Sequence, residues 1–128
     1  MASNSAATNG TKSVLVVEDE LMIRMLLEDM LEELGYRIAG QASDLNEALD
    51  AAKNGVFDVA ILDLDLNGKP TVAVADLIAG RGKPYVFATG YGEQGLPETH
   101  RNRPTLRKPF QLDGLRDTLA RALAQGGR

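Results

Sequence analysis

A doubly wound α/β fold on a five-stranded parallel sheet is predicted for this 128-residue chain by three observations. Residues 13–17 (Ser-Val-Leu-Val-Val) and 59–62 (Val-Ala-Ile-Leu) are short, unalternating apolar runs, the pattern of strands covered on both faces. Between such runs lie stretches whose apolar residues recur at helical spacing, so strands and helices alternate along the chain. Glycines close the helical stretches at Gly35, Gly55 and Gly80. Right-handed crossovers then lead to strand order 2-1-3-4-5, with the reversal between strands 1 and 3.

Taken in order, residues 1–12 are small and polar, predicting a disordered tail before a single domain at 13–125 and a short tail at 126–128. The first strand ends in three acids, Glu18, Asp19 and Glu20. Over residues 21–34, Leu21, Met22, Met25, Leu26, Met30 and Leu34 recur at helical spacing, and on this reading the methionines fill the core. Residues 36–42 form the second strand. Asp44 followed by Glu47 fits a capped helix start, with the helix running to about Lys53. The central strand turns acidic at Asp63 and Asp65; residues 66–70 read as a loop, 71–79 as an apolar helix and 83–88 as a fourth strand finishing at Thr89. A short fifth strand at 105–107 ends at Lys108-Pro109-Phe110, and Leu112, Leu115, Leu119, Ala122 and Leu123 mark a closing amphipathic helix. The stretch 90–103 is different. Gly90, Gly92 and Gly95 each cost about 0.8–1 kcal/mol in a helix interior and Pro97 about 3. Leu96 is the one aliphatic anchor there beside Tyr91, so the fourth helix is expected to be irregular or mobile.

Composition narrows the chemistry. The chain has no Cys, which excludes disulfides and thiolate metal sites and suits a reducing cytoplasm. Its one histidine, His100, stands beside Arg101 and Asn102 and reads as a solvated loop residue. The net charge of −4 divides into −9 over residues 1–100 and +5 over residues 101–128. An acidic body argues against nucleic-acid binding, and the small basic end suits docking of a protein partner. No apolar run has membrane-spanning length and no signal-peptide core is present, so a cytoplasmic protein off the membrane is expected.

In the expected topology the C-terminal ends of strands 1, 3, 4 and 5 share one edge, where α/β proteins place ligands. Those ends carry Glu18 and Asp19, then Asp63, Thr89 and Lys108. Each has an ordinary explanation: an Asp after a strand caps the next turn, and Thr or Lys often ends a strand. Their convergence calls for a chemical one. Two carboxylates ~4 Å apart at an effective dielectric near 20 repel by roughly 4 kcal/mol. A hard divalent cation relieves that repulsion, and an all-oxygen donor set suits Mg²⁺. With a mobile ammonium on Lys108 and a hydroxyl on Thr89, the set forms an apparatus for phosphoryl transfer to carboxylate.

On these residues the chain resembles the receiver domain of bacterial two-component response regulators, over about residues 13–124 and with five matched positions in order. The resemblance implies a flavodoxin-like receiver fold and phosphorylation of Asp63 by a histidine kinase. It also implies Mg²⁺ held by Asp19, Asp63 and the backbone carbonyl of Asp65, with Glu18 acting through water. Thr89 would be the switch hydroxyl and Lys108 the phosphoryl-binding cation, its bond to Pro109 cis. Phe87-Ala88-Thr89-Gly90-Tyr91 resembles the subgroup named for its FAT GUY motif, often stand-alone receivers of stress signalling whose kinases are of the HWE and related classes. Thr105 departs from the pattern, standing where most receivers carry a Tyr or Phe that swings with the switch Thr. Tyr91 is therefore expected to share in the switch. Asn67 replaces a frequent Pro, and Asp65 and Tyr91 occupy the variable positions that flank the attacking water. With no output domain after residue 128, the expected output is a contact with a downstream protein or phosphotransferase.

Two other readings fit parts of the pattern. Asp63 and Asp65 also match the Asp-x-Asp motif of haloacid-dehalogenase-type phosphatases. Against this, the acidic pair precedes the lysine here and the chain leaves no room for a cap. A receiver fold that signals without phosphate is the other, yet such variants usually lose the Asp, Thr or Lys that this sequence keeps. The expectation is a phosphoacceptor that loses its own phosphoryl group, not an enzyme turning over an external substrate.

Overall fold

A computed structural model describes residues 11–90, 96, 100 and 103–126. The elements are β1 (Ser13–Val17), α1 (Leu21–Glu33), β2 (Arg37–Ala42), α2 (Leu45–Asn54), β3 (Val59–Asp63), β4 (Asp65–Leu66), β5 (Lys69–Pro70), α3 (Val72–Gly80), β6 (Tyr85–Thr89), β7 (Thr105–Arg107) and α4 (Leu112–Gln125). Of the tail expected over 1–12, only Thr11 and Lys12 fall among the described residues. Most of the 90–103 stretch, Tyr91 included, lies outside them, and so does the expectation of an irregular fourth helix.

The main sheet has five parallel strands in the order β2-β1-β3-β6-β7. Apart from the β4–β5 hairpin this is the expected 2-1-3-4-5 order, with the reversal between β1 and β3. Side chains alternate across each strand, so one β1 run supplies two cores. Leu15 and Val17 join Ala60, Leu62, Tyr85 and Phe87 beneath α2 and α3. Val14 and Val16 join Val59, Ile61 and Val86 beneath α1 and α4. Asp44 caps α2, accepting a hydrogen bond from the Glu47 amide at 2.8 Å, and Gly35 ends α1's turn at a φ of 94°. The Lys108–Pro109 bond is cis. No helix among the described residues is long and apolar enough to cross a membrane.

Three expectations are corrected. The residues that bury α1 are Leu27 and Leu31, while Leu21, Met22, Met25 and Leu26 are 50–79% exposed and Met30 is half-buried. At 100° per residue, Met22 and Met25 lie on the far side of the helix from Leu27, so Met22 and Met25 are not core fillers. Helical spacing identifies a stripe without saying which of two stripes faces the sheet. The loop expected over 66–70 is a two-stranded antiparallel hairpin, with Asp65 opposite Pro70 and Leu66 opposite Lys69. Asn67 and Gly68 turn it with φ values of 53° and 83°, the paired left-handed conformation that Asn-Gly favours.

His100 is not a solvated loop residue. It is 4% exposed. Its Nδ1 lies 2.6 Å from the Tyr85 hydroxyl and its Nε2 3.0 Å from Asp76 Oδ1. The polar neighbours in sequence misled because both partners come from other elements, β6 and α3.

Candidate functional site

Parallel pairing sets the site. Val17 is paired with Leu62, Asp63 with Ala88 and Thr89 with Arg107, so four strand ends open onto one edge. Residues that directly follow a strand, Glu18 and Asp19 after β1 and Lys108 after β7, join Asp63 and Thr89 there. Asp19, Asp63, Asp65, Thr89 and Lys108 line a cleft of about 560 Å³, with Asn67 and Gly68 of the hairpin on its rim. Glu18 lies deeper, 1% exposed, and Asp63 is 9% exposed. One carboxylate oxygen from each of Glu18, Asp19 and Asp63 falls within 4.8 Å of the others.

The Lys108 ammonium stands between two of these acids, donating to Glu18 Oε1 at 3.1 Å and lying 3.3 Å from Asp63 Oδ1. Burial pulls the Lys108 pKa down, but the charges of Asp63 and Glu18 outweigh it and hold it above the ordinary lysine value. One cation does not balance the pocket. Burial, and then the charge of Glu18, push Asp63 up from 3.8 to about 7 despite Lys108. A carboxylate whose proton is held this firmly even beside a lysine marks a site short of positive charge. Its all-oxygen donors are those of a hard divalent cation.

Two hydrogen-bonding devices, one from a backbone amide and one from a side-chain hydroxyl, fix the acids. The Asn67 amide donates to Asp19 Oδ2 at 3.1 Å, tying the hairpin turn to the acid at the end of β1. Thr71, fully buried, sets its hydroxyl 2.6 Å from the Asp63 carbonyl oxygen and 3.0 Å from that of Leu64. Its hydroxyl therefore points at the strand end rather than capping α3, which has no side-chain cap. Sequence reading missed Thr71. The signal was a Thr before a helix, which ordinarily reads as a cap.

The structure brings together Glu18, Asp19, Asp63, Thr89 and Lys108 as expected. Asp65 is exposed on the hairpin at the cleft wall, Thr89 is buried, and Tyr91 lies outside the described residues. Beside the cleft, Ile23, Leu26, Pro109 and Phe110 line an apolar groove that also reaches Lys108.

The family model described as "Response regulator receiver domain" matches residues 14–120. Among solved structures, SdrG from Sphingomonas melonis Fr1 is 41% identical with a TM-score of 0.78, covering 88% of this chain and 96% of that one. A second SdrG structure, in the BeF3-activated conformation, is 40% identical with a TM-score of 0.76, covering 88% of this chain and 97% of that one. The receiver domain of Erythrobacter litoralis PhyR is 32% identical with a TM-score of 0.77, covering 94% of this chain and 95% of that one. The transcriptional regulatory protein PdtaR of Mycobacterium tuberculosis is 35% identical over 108 residues, 81% of this chain and 53% of PdtaR, so the chain spans about half the length of that relative.

Proposed function

The chain belongs to the receiver-domain family of response regulators, and on that premise we propose that Asp63 accepts a phosphoryl group from a histidine kinase and that a change around Thr89 then signals to protein partners. A carboxylate oxygen of Asp63 attacks the phosphorus of a phosphohistidine. The P–N bond breaks as the P–O bond forms, the imidazole leaves with the electron pair, and Asp63 becomes an acyl phosphate. Glu18, acting through water, Asp19, Asp63 and the Asp65 backbone carbonyl would hold Mg²⁺, which when bound supplies positive charge to the phosphoryl oxygens. Lys108, already 3.3 Å from Asp63 Oδ1, needs only a small movement to follow the charge onto the phosphoryl group. Thr89, at the end of β6 on the same edge, supplies a hydroxyl donor.

The observation that carries this reading is the Lys108 ammonium shared between Glu18 and Asp63 in a cleft with room for a phosphoryl group. Hydrolysis of the acyl phosphate resets the protein, which on this reading is not a turnover enzyme for an external substrate. Phe87-Ala88-Thr89-Gly90-Tyr91 supports membership of the FAT GUY subgroup and an HWE-class or related kinase as donor. The exposed Leu21, Met22, Met25 and Leu26 face, continuous through the groove at Ile23 and Phe110 with Lys108, offers the kinase an apolar seat beside the cleft. The output is contact with a downstream protein or onward transfer to a phosphotransferase. BeF3 activation of the similar SdrG supports a phosphoryl-driven switch.

The test is phosphotransfer from a panel of purified, autophosphorylated histidine kinases with Mg²⁺ present. Transfer from at least one HWE-class kinase to wild type and none to Asp63→Asn is expected. No transfer from any kinase, together with steady turnover of a phosphate monoester, would replace this reading with a phosphatase.

A further inference from the structure

His100 makes a bridge the phosphoryl chemistry does not use. Tyr85, Phe87 and Thr89 fall on one side of β6 by strand alternation. The His100 ring packs edge-on against the first two, with centroids 5.7 Å from Tyr85 and 5.5 Å from Phe87. The geometry fits a Tyr85 hydroxyl donating to Nδ1 at 2.6 Å and an Nε2–H donating to Asp76 on α3 at 3.0 Å. The Arg103 guanidinium sits 4.8 Å from the Tyr85 ring centroid. The chain that leaves β6 at Thr89 thus returns to the same strand at His100. It is pinned there to α3, with Leu96 buried in the core on the way. Thr105 offers no aromatic ring to relay a movement of Thr89, and its hydroxyl bonds instead to the Arg103 carbonyl at 3.2 Å.

We propose that the Asp76–His100–Tyr85 chain is a latch that holds Thr89 in its resting position. It makes His100 the positioning residue that sets how readily the site switches. This rests on the phosphoacceptor reading above. When Thr89 moves toward a phosphoryl group, the side of β6 that it shares with Tyr85 and Phe87 is drawn against the two His100 hydrogen bonds, and switching requires that they loosen. Differential stability of the two states is the only quantity a latch can change, so its effect reads out in the ligand concentration that drives the switch.

The test is a beryllofluoride titration with Mg²⁺, followed by amide NMR shifts around Asp63 and Thr89, on wild type, Tyr85→Phe, Asp76→Asn and His100→Phe. Each variant keeps a ring or a side chain of similar shape while removing latch hydrogen bonds. Each should lower the midpoint by about threefold to tenfold, the range set by one or two net hydrogen bonds. In a Thr89→Ala background the same changes should leave the midpoint unmoved. If His100→Phe does not fold, Tyr85→Phe and Asp76→Asn decide the matter. A lower melting temperature with an unchanged or higher midpoint would overturn the latch and leave His100 a packing residue. A wild type that ignores beryllofluoride would overturn the phosphoacceptor reading itself, and the latch with it.

Discussion

The Lys108 ammonium lies 3.1 Å from Glu18 Oε1 and 3.3 Å from Asp63 Oδ1, so one cation serves two buried carboxylates. Lys108→Ala leaves both acids unpaired and removes the positive charge offered to a phosphoryl oxygen. Phosphorylation of Asp63 by acetyl phosphate should slow on the order of a hundredfold. The NMR shifts that beryllofluoride induces should also collapse. A variant that labels at the wild-type rate would remove Lys108 from the chemistry.

The pKa of Asp63 carries a pH signature. It is raised from 3.8 to about 7 by burial and by Glu18, so the folded protein binds this proton more tightly than the unfolded chain does. The resulting stabilisation is complete below about pH 4 and is lost as pH rises through about 7. Asp63→Asn, which cannot ionise, should therefore melt above wild type at about pH 8, with the gap closing toward about pH 4. Mg²⁺ should narrow the gap at about pH 8. The lowered pKa of Asp58, whose carboxylate accepts from the Ser13 amide, acts in the opposite sense but is common to both proteins. A gap independent of pH would contradict the electrostatic account.

Thr71→Val replaces the hydroxyl beneath Asp63 with a methyl group of nearly the same size. The Asp63 and Leu64 carbonyls lose a buried donor, which should cost about 1–3 kcal/mol in denaturant unfolding. Mg²⁺ affinity should fall as well, because the strand end that presents Asp63 is no longer fixed. Unchanged affinity with reduced stability would confine Thr71 to a structural role.

Thr89→Ala should separate chemistry from signalling. Asp63 remains intact, so acetyl phosphate should still label the protein. The shifts that beryllofluoride spreads beyond the cleft should shrink several-fold. A full response in Thr89→Ala would refute the switch assignment.

The α1 face should matter to the kinase alone. Met22→Glu with Met25→Glu places charge on residues that are 79% and 51% exposed, and should cut phosphotransfer from the cognate kinase at least tenfold while sparing labelling by acetyl phosphate. Val56→Glu, 89% exposed ahead of β3 at the opposite end of that strand from Asp63, is the control that should leave both intact. Equal effects from the two faces would dismiss docking on α1.

The parts of this structure readable from sequence are those dictated by local pattern. The apolar runs of β1 and β3 mark buried strands, and the alternation of strands with helices is enough to gather Glu18, Asp19, Asp63, Thr89 and Lys108 at one edge. Asn67-Gly68 is itself a hairpin signal, but the strands it joins are two residues each, too short to stand out from a loop in sequence. The outward face of α1 is ambiguous in sequence, since Leu27, Met30 and Leu31 form one apolar stripe and Leu21, Met22, Met25 and Leu26 another, and only packing selects between them. His100 and Thr71 were beyond reach. Their partners are Tyr85, Asp76 and the carbonyls of Asp63 and Leu64, and nothing in the neighbouring residues encodes those meetings.

The central claim is that Asp63 is a phosphoacceptor, and borohydride trapping after incubation with acetyl phosphate and Mg²⁺ tests it most directly. Reduction cleaves an aspartyl phosphate to homoserine, which peptide mass spectrometry locates. The account predicts a single homoserine, at position 63, and none when Mg²⁺ is withheld. Homoserine at another position, or none in wild type under conditions that label a known receiver, would contradict it.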